Sequence, residues 1–410
     1  MRSLAALALA LFAVYAISIA ADASPGERLS AGEAHVLLTT ESVVSDGNLD
    51  VADQYRDHSY ARWYGERLRP TATPDDAGRL FEPHGIGLPL LLAPAWAIGG
   101  VTAVKLWLAL LMALAFTCAA LLARRLVPEP WATRAALIAG LSPPAIAAST
   151  ALRPEAPVAA ALAGAAVLAL VVRDRPRSST AFWAALLLAT VPWLGLTGVL
   201  PAIVIALALA RWLRRRHRGL SGFVALEVVL TSAVVFITIN DRLYGGLTPY
   251  SGRAASGSAT GLGGIGDLAG RVGRLAELLA ELVLWAPFAL MAFAALWLLW
   301  RSRRERLVAI SSEQVHIEVA AGFFALACAA QVAVAVFLVP SLDGAWFDTR
   351  FLVPVLPLGT ALAAWGLRRL PRVGAALGTL TVALGVWLLV ASVLGDATLA
   401  PPHGLGLGRY

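Results

Sequence analysis

The sequence predicts an all-α polytopic membrane protein of about eleven transmembrane helices, with a long first extracytoplasmic loop of interfacial helices. Three observations carry this. Of the 410 residues, 59% are hydrophobic and only 14% charged, against about 25% charged in soluble domains. Apolar runs recur from Leu4 to the neighbourhood of Leu394, and a run of about 20 residues crosses the hydrocarbon core as a helix, because the backbone must satisfy its own polar groups there. The arginines fall in short clusters between those runs, a pattern of topology rather than of one basic face. The net charge of +7 therefore points to membrane lipid and to no nucleic acid.

Taken in order, spans begin near residues 4, 101, 131, 156, 179, 199, 219, 276, 318, 350 and 373. Cytoplasmic loops are enriched in Lys and Arg. That places Arg124 and Arg125, Arg173 to Arg177, Arg211 to Arg218, Arg301 to Arg306 and Arg368 to Arg372 inside. Arg153-Pro154-Glu155, Trp193 to Gly198, Asn240 to Leu275 and Val339 to Arg350 are then outside, as is the C-terminus. The first span, 1–22, ends on Ala21-Asp22-Ala23 like a signal peptide. Its apolar run is long for one, so an uncleaved helix is expected; either way the next loop lies outside. That loop, 23–86, is too long for a connector and is rich in polar and charged residues. Segment 87–99 is short, contains Pro89 and Pro94, and reads as re-entrant or interfacial rather than as a crossing. The remaining bundle is 101–395, interrupted by the Gly/Ser-rich loop 240–275, a flexible linker or a lid. Cys118 and Cys328 lie in spans and read as small buried hydrophobes. Glu227, mid-span, reads as protonated and hydrogen-bonded between helices.

Several short segments carry a resemblance. The first loop contains Gly32-Glu33-Ala34-His35-Val36-Leu37-Leu38, Ser45-Asp46-Gly47-Asn48-Leu49-Asp50 and Pro83-His84-Gly85-Ile86-Gly87. Arg153-Pro154-Glu155, Pro192-Trp193-Leu194, Tyr244-Gly245-Gly246 and Asp348-Thr349-Arg350-Phe351 come after it in that order. The chain resembles the C-type (GT-C) glycosyltransferases, multi-pass enzymes that transfer sugar from polyprenyl-phosphate donors. It departs from them at Gly32, where the family pattern has Asp before Glu, and at Gly195 and Thr197, where relatives often place His and a basic residue.

The resemblance implies a transferase moving a sugar from a polyprenyl-phosphate donor to a glycan, glycolipid or protein acceptor. The Ala- and Arg-rich composition suggests a bacterium, and hence the inner membrane with the active loop extracytoplasmic. Such transfer needs a carboxylate to take the acceptor proton and cations to stabilise the leaving phosphate. Glu33 is the expected base; a solvated helix N-terminal carboxylate is the plain alternative. Asp46 and Asp50 assist it, hold a divalent cation, or form an ordinary turn. Arg350, His84, Arg153 and Lys105 are the candidates for the donor phosphate; the alternative is an ion pair with Asp348 or a snorkelling anchor for Arg350, and lipid-headgroup contact for the other three. Glu155 and Tyr244 are candidates for sugar binding. No compact ligand cluster in the sequence demands a metal. Two other functions remain open: a transporter or flippase, and a catalytically silent relative acting as an assembly partner.

Overall fold

The computed structural model describes residues 2–21, 28–215, 219–249, 251, 268–304, 312–338 and 348–399. The Gly252 to Gly266 stretch, Arg216, Arg218, Arg306 and most of the 339–350 loop lie outside the described residues. Among those described, all regular structure is helical. The helices are α1 (Arg2–Ile17), α2 (Ala31–Ser45), α3 (Ala52–Arg56), α4 (Gly87–Ala123), α5 (Trp131–Gly140), α6 (Pro143–Thr150), α7 (Glu155–Asp174) and α8 (Ser178–Leu194). They continue as α9 (Val199–Arg215), α10 (Gly219–Tyr244), α11 (Leu268–Trp285), α12 (Leu290–Arg304), α13 (Ser312–Ala333), α14 (Leu356–Arg369) and α15 (Pro371–Leu394). A 3₁₀ segment, Asp348–Val355, leads into α14.

Eight of the described helices are long and apolar enough to cross a membrane, or nine if a pair bent by 112°, Arg271–Trp285 with Pro287–Ser302, is one span. The spans expected near 131 and 179 are shorter pieces. Ser142 adopts extended backbone before Pro143 and cuts α5 from α6, because proline excludes the helical region for the residue preceding it. Helix α8 has 17 residues. In α4 the helical geometry breaks at Gly99 and Gly100, the latter at φ 58° and ψ −144°, a region only glycine enters freely. The break falls where the sequence divides segment 87–99 from the span after it.

Packing follows side-chain size. In the apolar window of Thr349–Arg369, 89% of the residues are buried, and in that of Gly219–Tyr244 only 11%, so the former sits in the bundle centre and α10 on its rim. Central α7 and α14 meet their neighbours through alanines, among them Ala156, Ala159, Ala163, Ala361 and Ala364. In lipid, where no hydrophobic force drives helices together, small residues permit the close approach that dispersion requires. Contacts also tie several helix ends to one face. Arg124 Nη2 donates to Ser3 Oγ at 3.2 Å, Arg125 pairs with Asp174, Arg173 contacts His316, and the Ser178 and Ser221 hydroxyls lie 2.8 Å apart. Helix α2 packs on α4, with Leu37, Leu38, Leu92, Leu108 and Leu152 in one apolar cluster.

Candidate functional site

At the start of α2, Ser30-x-x-Glu33 forms a capping pattern in which both partners belong to the first turn. The Ser30 backbone N–H and Oγ donate to Glu33 Oε2 at 2.8 and 2.9 Å. The Leu152 N–H donates to Oε1 at 2.8 Å, so the carboxylate clamps α2 to the segment after α6. Glu33 is 3% exposed, which excludes the solvated alternative. Beside it are Lys105 and Arg153. Lys105 is buried, and its Nζ donates to the Arg28 carbonyl at 2.9 Å. These three, with Ser30, Thr150 and Leu399, line a cavity of about 20 Å³, room for one water molecule. A Cβ added at Gly32 would lie 3.9 Å from Arg153 Nη2. The position where the family pattern has an aspartate thus faces a guanidinium.

A second polar cluster flanks α2, and its centre, Glu82, escapes a sequence reading. Tyr55 OH donates to Glu82 Oε1 at 2.5 Å, and His35 Nδ1 lies 2.7 Å from Tyr55 OH and 3.5 Å from Oε1. Thr71 Oγ1 donates to Oε2. Burial works against ionisation of this carboxyl. The charge and hydrogen bond of His35, with the Thr71 and Tyr55 hydroxyls, outweigh it and hold the pKa at about 2. His84 Nε2 lies 3.1 Å from Thr39 Oγ1, and burial pushes this ring below its ordinary value. At neutral pH it is an uncharged imidazole, a hydrogen-bonding group and not the cation expected of a phosphate site. Tyr244 OH, at the end of α10, donates to the carbonyls of Glu82 and His84 at 3.2 and 3.1 Å. Tyr244 and His84 therefore belong together.

Other candidates stand apart. Asp46 caps α2 at its far end, about 20 Å of helix from Glu33, and is bound by Ser45 and Gln54. Asp50 Oδ1 accepts from the Ala52 and Leu80 N–H groups at 3.0 and 2.8 Å, the turn role. Glu155 is buried at the first turn of α7. Arg350 is 2% exposed, its guanidinium carbon 4.5 Å from the Phe351 ring centroid. A snorkelling anchor would reach the surface, so that alternative falls. Its 3₁₀ segment packs on α6, α7 and α11. Residues from the same segment, Leu352 and Val355, line an apolar cavity of about 360 Å³ together with Ser142, Leu282, Phe288 and Cys328. That volume is of ligand-pocket size.

No protein-family model and no curated protein matches the sequence. Solved structures do match by fold. ArnT from Cupriavidus metallidurans in the apo state superposes with TM-score 0.55 at 16% identity, covering 95% of this chain and 69% of ArnT. Arabinosyltransferase EmbB from Mycobacterium smegmatis gives 0.52 at 15% identity, with 96% of this chain and 38% of EmbB covered. The Archaeoglobus fulgidus oligosaccharyltransferase gives 0.50 at 11%, covering 96% and 56%. The fold is that of the C-type (GT-C) glycosyltransferases. This chain spans little more than a third of EmbB and about half of the oligosaccharyltransferase.

Within the C-type fold, the segments that carry the resemblance converge. A Cβ at Gly87 would come within 2.6 Å of Trp193 Cβ, and one at Gly195 within 2.8 Å of Pro154 Cβ. The His84, Trp193 and Pro154 segments are therefore in mutual contact beside α2. Gly195 has a steric reason to depart from the family pattern, since a larger side chain must displace Pro154. The archaeal enzyme was also solved with Zn and sulfate. Among the described residues, no three His, Cys, Asp or Glu side chains gather, and Asp46 and Asp50 accept protein hydrogen bonds.

Proposed function

We propose that the protein transfers a sugar from a polyprenyl-phosphate donor to a cell-envelope acceptor at the extracytoplasmic face of the bacterial inner membrane. The observation that carries this reading is the relation of two cavities along one helix. Ser142, just before α6, lines the large apolar cavity, and Thr150, at its other end, lines the charged pocket of Glu33, Lys105 and Arg153. About 12 Å of helix separates them, a spacing suited to an isoprenoid tail with its phosphate beside cations. In this reading Lys105, Arg153 and Arg350 stabilise charge returning to the leaving phosphate. Glu33 takes the proton from the acceptor hydroxyl, and to do so its Oε1 exchanges the Leu152 N–H for that hydroxyl. Asp46 and Asp50 serve the fold of the loop, while His84 and Tyr244 position its end; Glu155 is left for a sugar hydroxyl.

The second reading, a silent relative that assembles with other membrane proteins, is favoured by one specific observation. Both Glu33 oxygens are occupied by backbone or serine donors, and Gly32 stands where the pattern has aspartate. The deciding measurement is release of polyprenyl phosphate from labelled polyprenyl-phosphate sugars by purified protein in nanodiscs, with a panel of acceptors. Release that falls about 100-fold or more in Glu33→Gln, with donor binding retained, supports the transferase. Absence of release from any donor supports the silent relative.

A further inference from the structure

The charged pocket is too small for the group that its charges fit. One carboxylate, Glu33, and two cations, Lys105 and Arg153, line a cavity of about 20 Å³, which holds one water molecule, whereas a phosphate group carries four oxygens. A wall has to move before a phosphate enters. Most of the walls are fixed by bonding or by burial. Glu33 is held at both oxygens by Ser30 and the Leu152 N–H. Lys105 stands within α4, its Nζ on the Arg28 carbonyl at 2.9 Å, and Ala147 and Thr150 belong to α6, in which every residue is buried. Leu399 differs. It closes the pocket from the end of the segment Gly395–Leu399, of which it alone is buried. The Asp396 and Ala397 N–H groups both donate to the Ala391 carbonyl, at 2.9 and 3.3 Å, so the turn is tied to its own helix end. Gly395 makes that turn at φ 83°, and nothing lies within 4 Å of where its Cβ would stand. Unhindered glycine backbone at an element end can absorb the dihedral change of a hinge.

We propose that the Gly395–Leu399 segment is a gate on the phosphate site: Leu399 closes the charged pocket in this structure, and rotation about Gly395 withdraws it so that a phosphate group enters beside Lys105 and Arg153. The gate deepens the transferase reading, on which it rests, by adding the step that precedes transfer. Opening exposes one leucine side chain, and the incoming phosphate offsets that loss through two cations. A phosphate that binds only the open form shifts the population toward it. The isoprenoid tail is not subject to the gate, since the apolar cavity and the charged pocket share no lining residue.

The test uses the full chain in nanodiscs, with Cys118 and Cys328 replaced by alanine. Leu399→Cys is paired in turn with Ala21→Cys, Ala147→Cys and Ala151→Cys, which line the same cavity, and a disulfide identified by mass spectrometry locks the gate shut. Locked protein is expected to bind polyprenyl phosphate about tenfold or more weakly than the same protein after reduction. Polyprenol, which needs only the apolar cavity, should bind both forms equally. Excess inorganic phosphate should shield Lys105 from an amine-reactive reagent in the reduced protein and add no shielding in the locked one. Gly395→Ala, whose side chain disfavours the left-handed turn, should tighten polyprenyl phosphate binding severalfold. If no pair forms a disulfide, Leu399 does not stand against this wall; if locked and reduced protein bind polyprenyl phosphate equally, it bars nothing. Either result overturns the gate alone. Binding of neither phosphate probe by the reduced protein would overturn the donor-phosphate reading, and the gate with it.

Discussion

Glu82 is ionised in the folded chain because its partners defeat its burial, and this has a consequence in acid. Its folded pKa, about 2, lies below the ordinary 4.5. The stabilisation is therefore complete above about pH 4.5 and is lost as pH falls through 2. Glu82→Gln should cost on the order of 3 kcal/mol at pH 7 and should flatten the fall in melting temperature between pH 4.5 and 2. Identical acid limbs in wild type and variant would remove Glu82 from that role. Gly32 allows the opposite experiment. It is exposed in the first turn of α2 and faces Arg153 Nη2. Gly32→Asp gains helix propensity, a favourable dipole interaction and an ion pair, so stability should rise by about 1 kcal/mol; a lower melting temperature would refute the geometry. Such residues differ in how legible they are. Ser30-x-x-Glu33 is a local pattern and can be read directly. The Leu152 N–H that completes Glu33 lies 119 residues away, and His35, Tyr55, Thr71 and Glu82 share no spacing, so both sites depend on tertiary folding that no local rule encodes.

Elements are legible where glycine or proline punctuates them. The break at Gly99 and Gly100 falls at the boundary expected from composition, because glycine permits the backbone that ends one helix and starts another. The cut before Pro143 obeys an equally local rule, yet the apolar run across it hides the boundary from a hydropathy reading. The segment after α15 is not legible at all. Gly395 turns the chain back at φ 83°, and Leu399, 5% exposed, becomes part of the wall of the charged pocket. Lys105 in that pocket is the one lysine of the sequence, so an amine-reactive reagent reports on it apart from the N-terminus. Leu399→Ala should raise Lys105 modification severalfold, read by mass spectrometry of the peptide. Unchanged modification would mean that Leu399 does not seal the pocket.

For the molecule as a whole, topology is the property on which site and function both depend. Charge alone assigns the five arginine clusters to one side, and the contacts linking Ser3, Arg124, Arg125, Asp174, Arg173 and His316 gather the two helix ends carrying the first two clusters, those of α4 and α7, with the starts of α1 and α13, on one face. The Trp193 and Tyr244 segments lie at the ends of α8 and α10 opposite the joined Ser178 and Ser221, which is why motifs far apart in sequence could form one site. The bent pair is the element on which the crossing count turns. A 112° bend at Ala286 and Pro287 suits either a broken crossing or a hairpin that returns to its own side, and the two differ by one in parity. Hydropathy cannot distinguish them, since both halves are apolar and no length rule registers a direction. With the native cysteines replaced by alanine, single cysteines at Ser45, Ser256 and Ser341 should react in intact cells with a membrane-impermeant maleimide, Ser256 and Ser341 lying outside the described residues. Cysteines at Ser178 and Ser302 should react only after permeabilisation. If Ser302 reacts in intact cells while Ser178 does not, the bent pair is re-entrant, and the side assigned to Arg301 is wrong. If Ser178 reacts as well, the eleven-span scheme fails at α8, and with it the placement of the Glu33 pocket on the extracytoplasmic side.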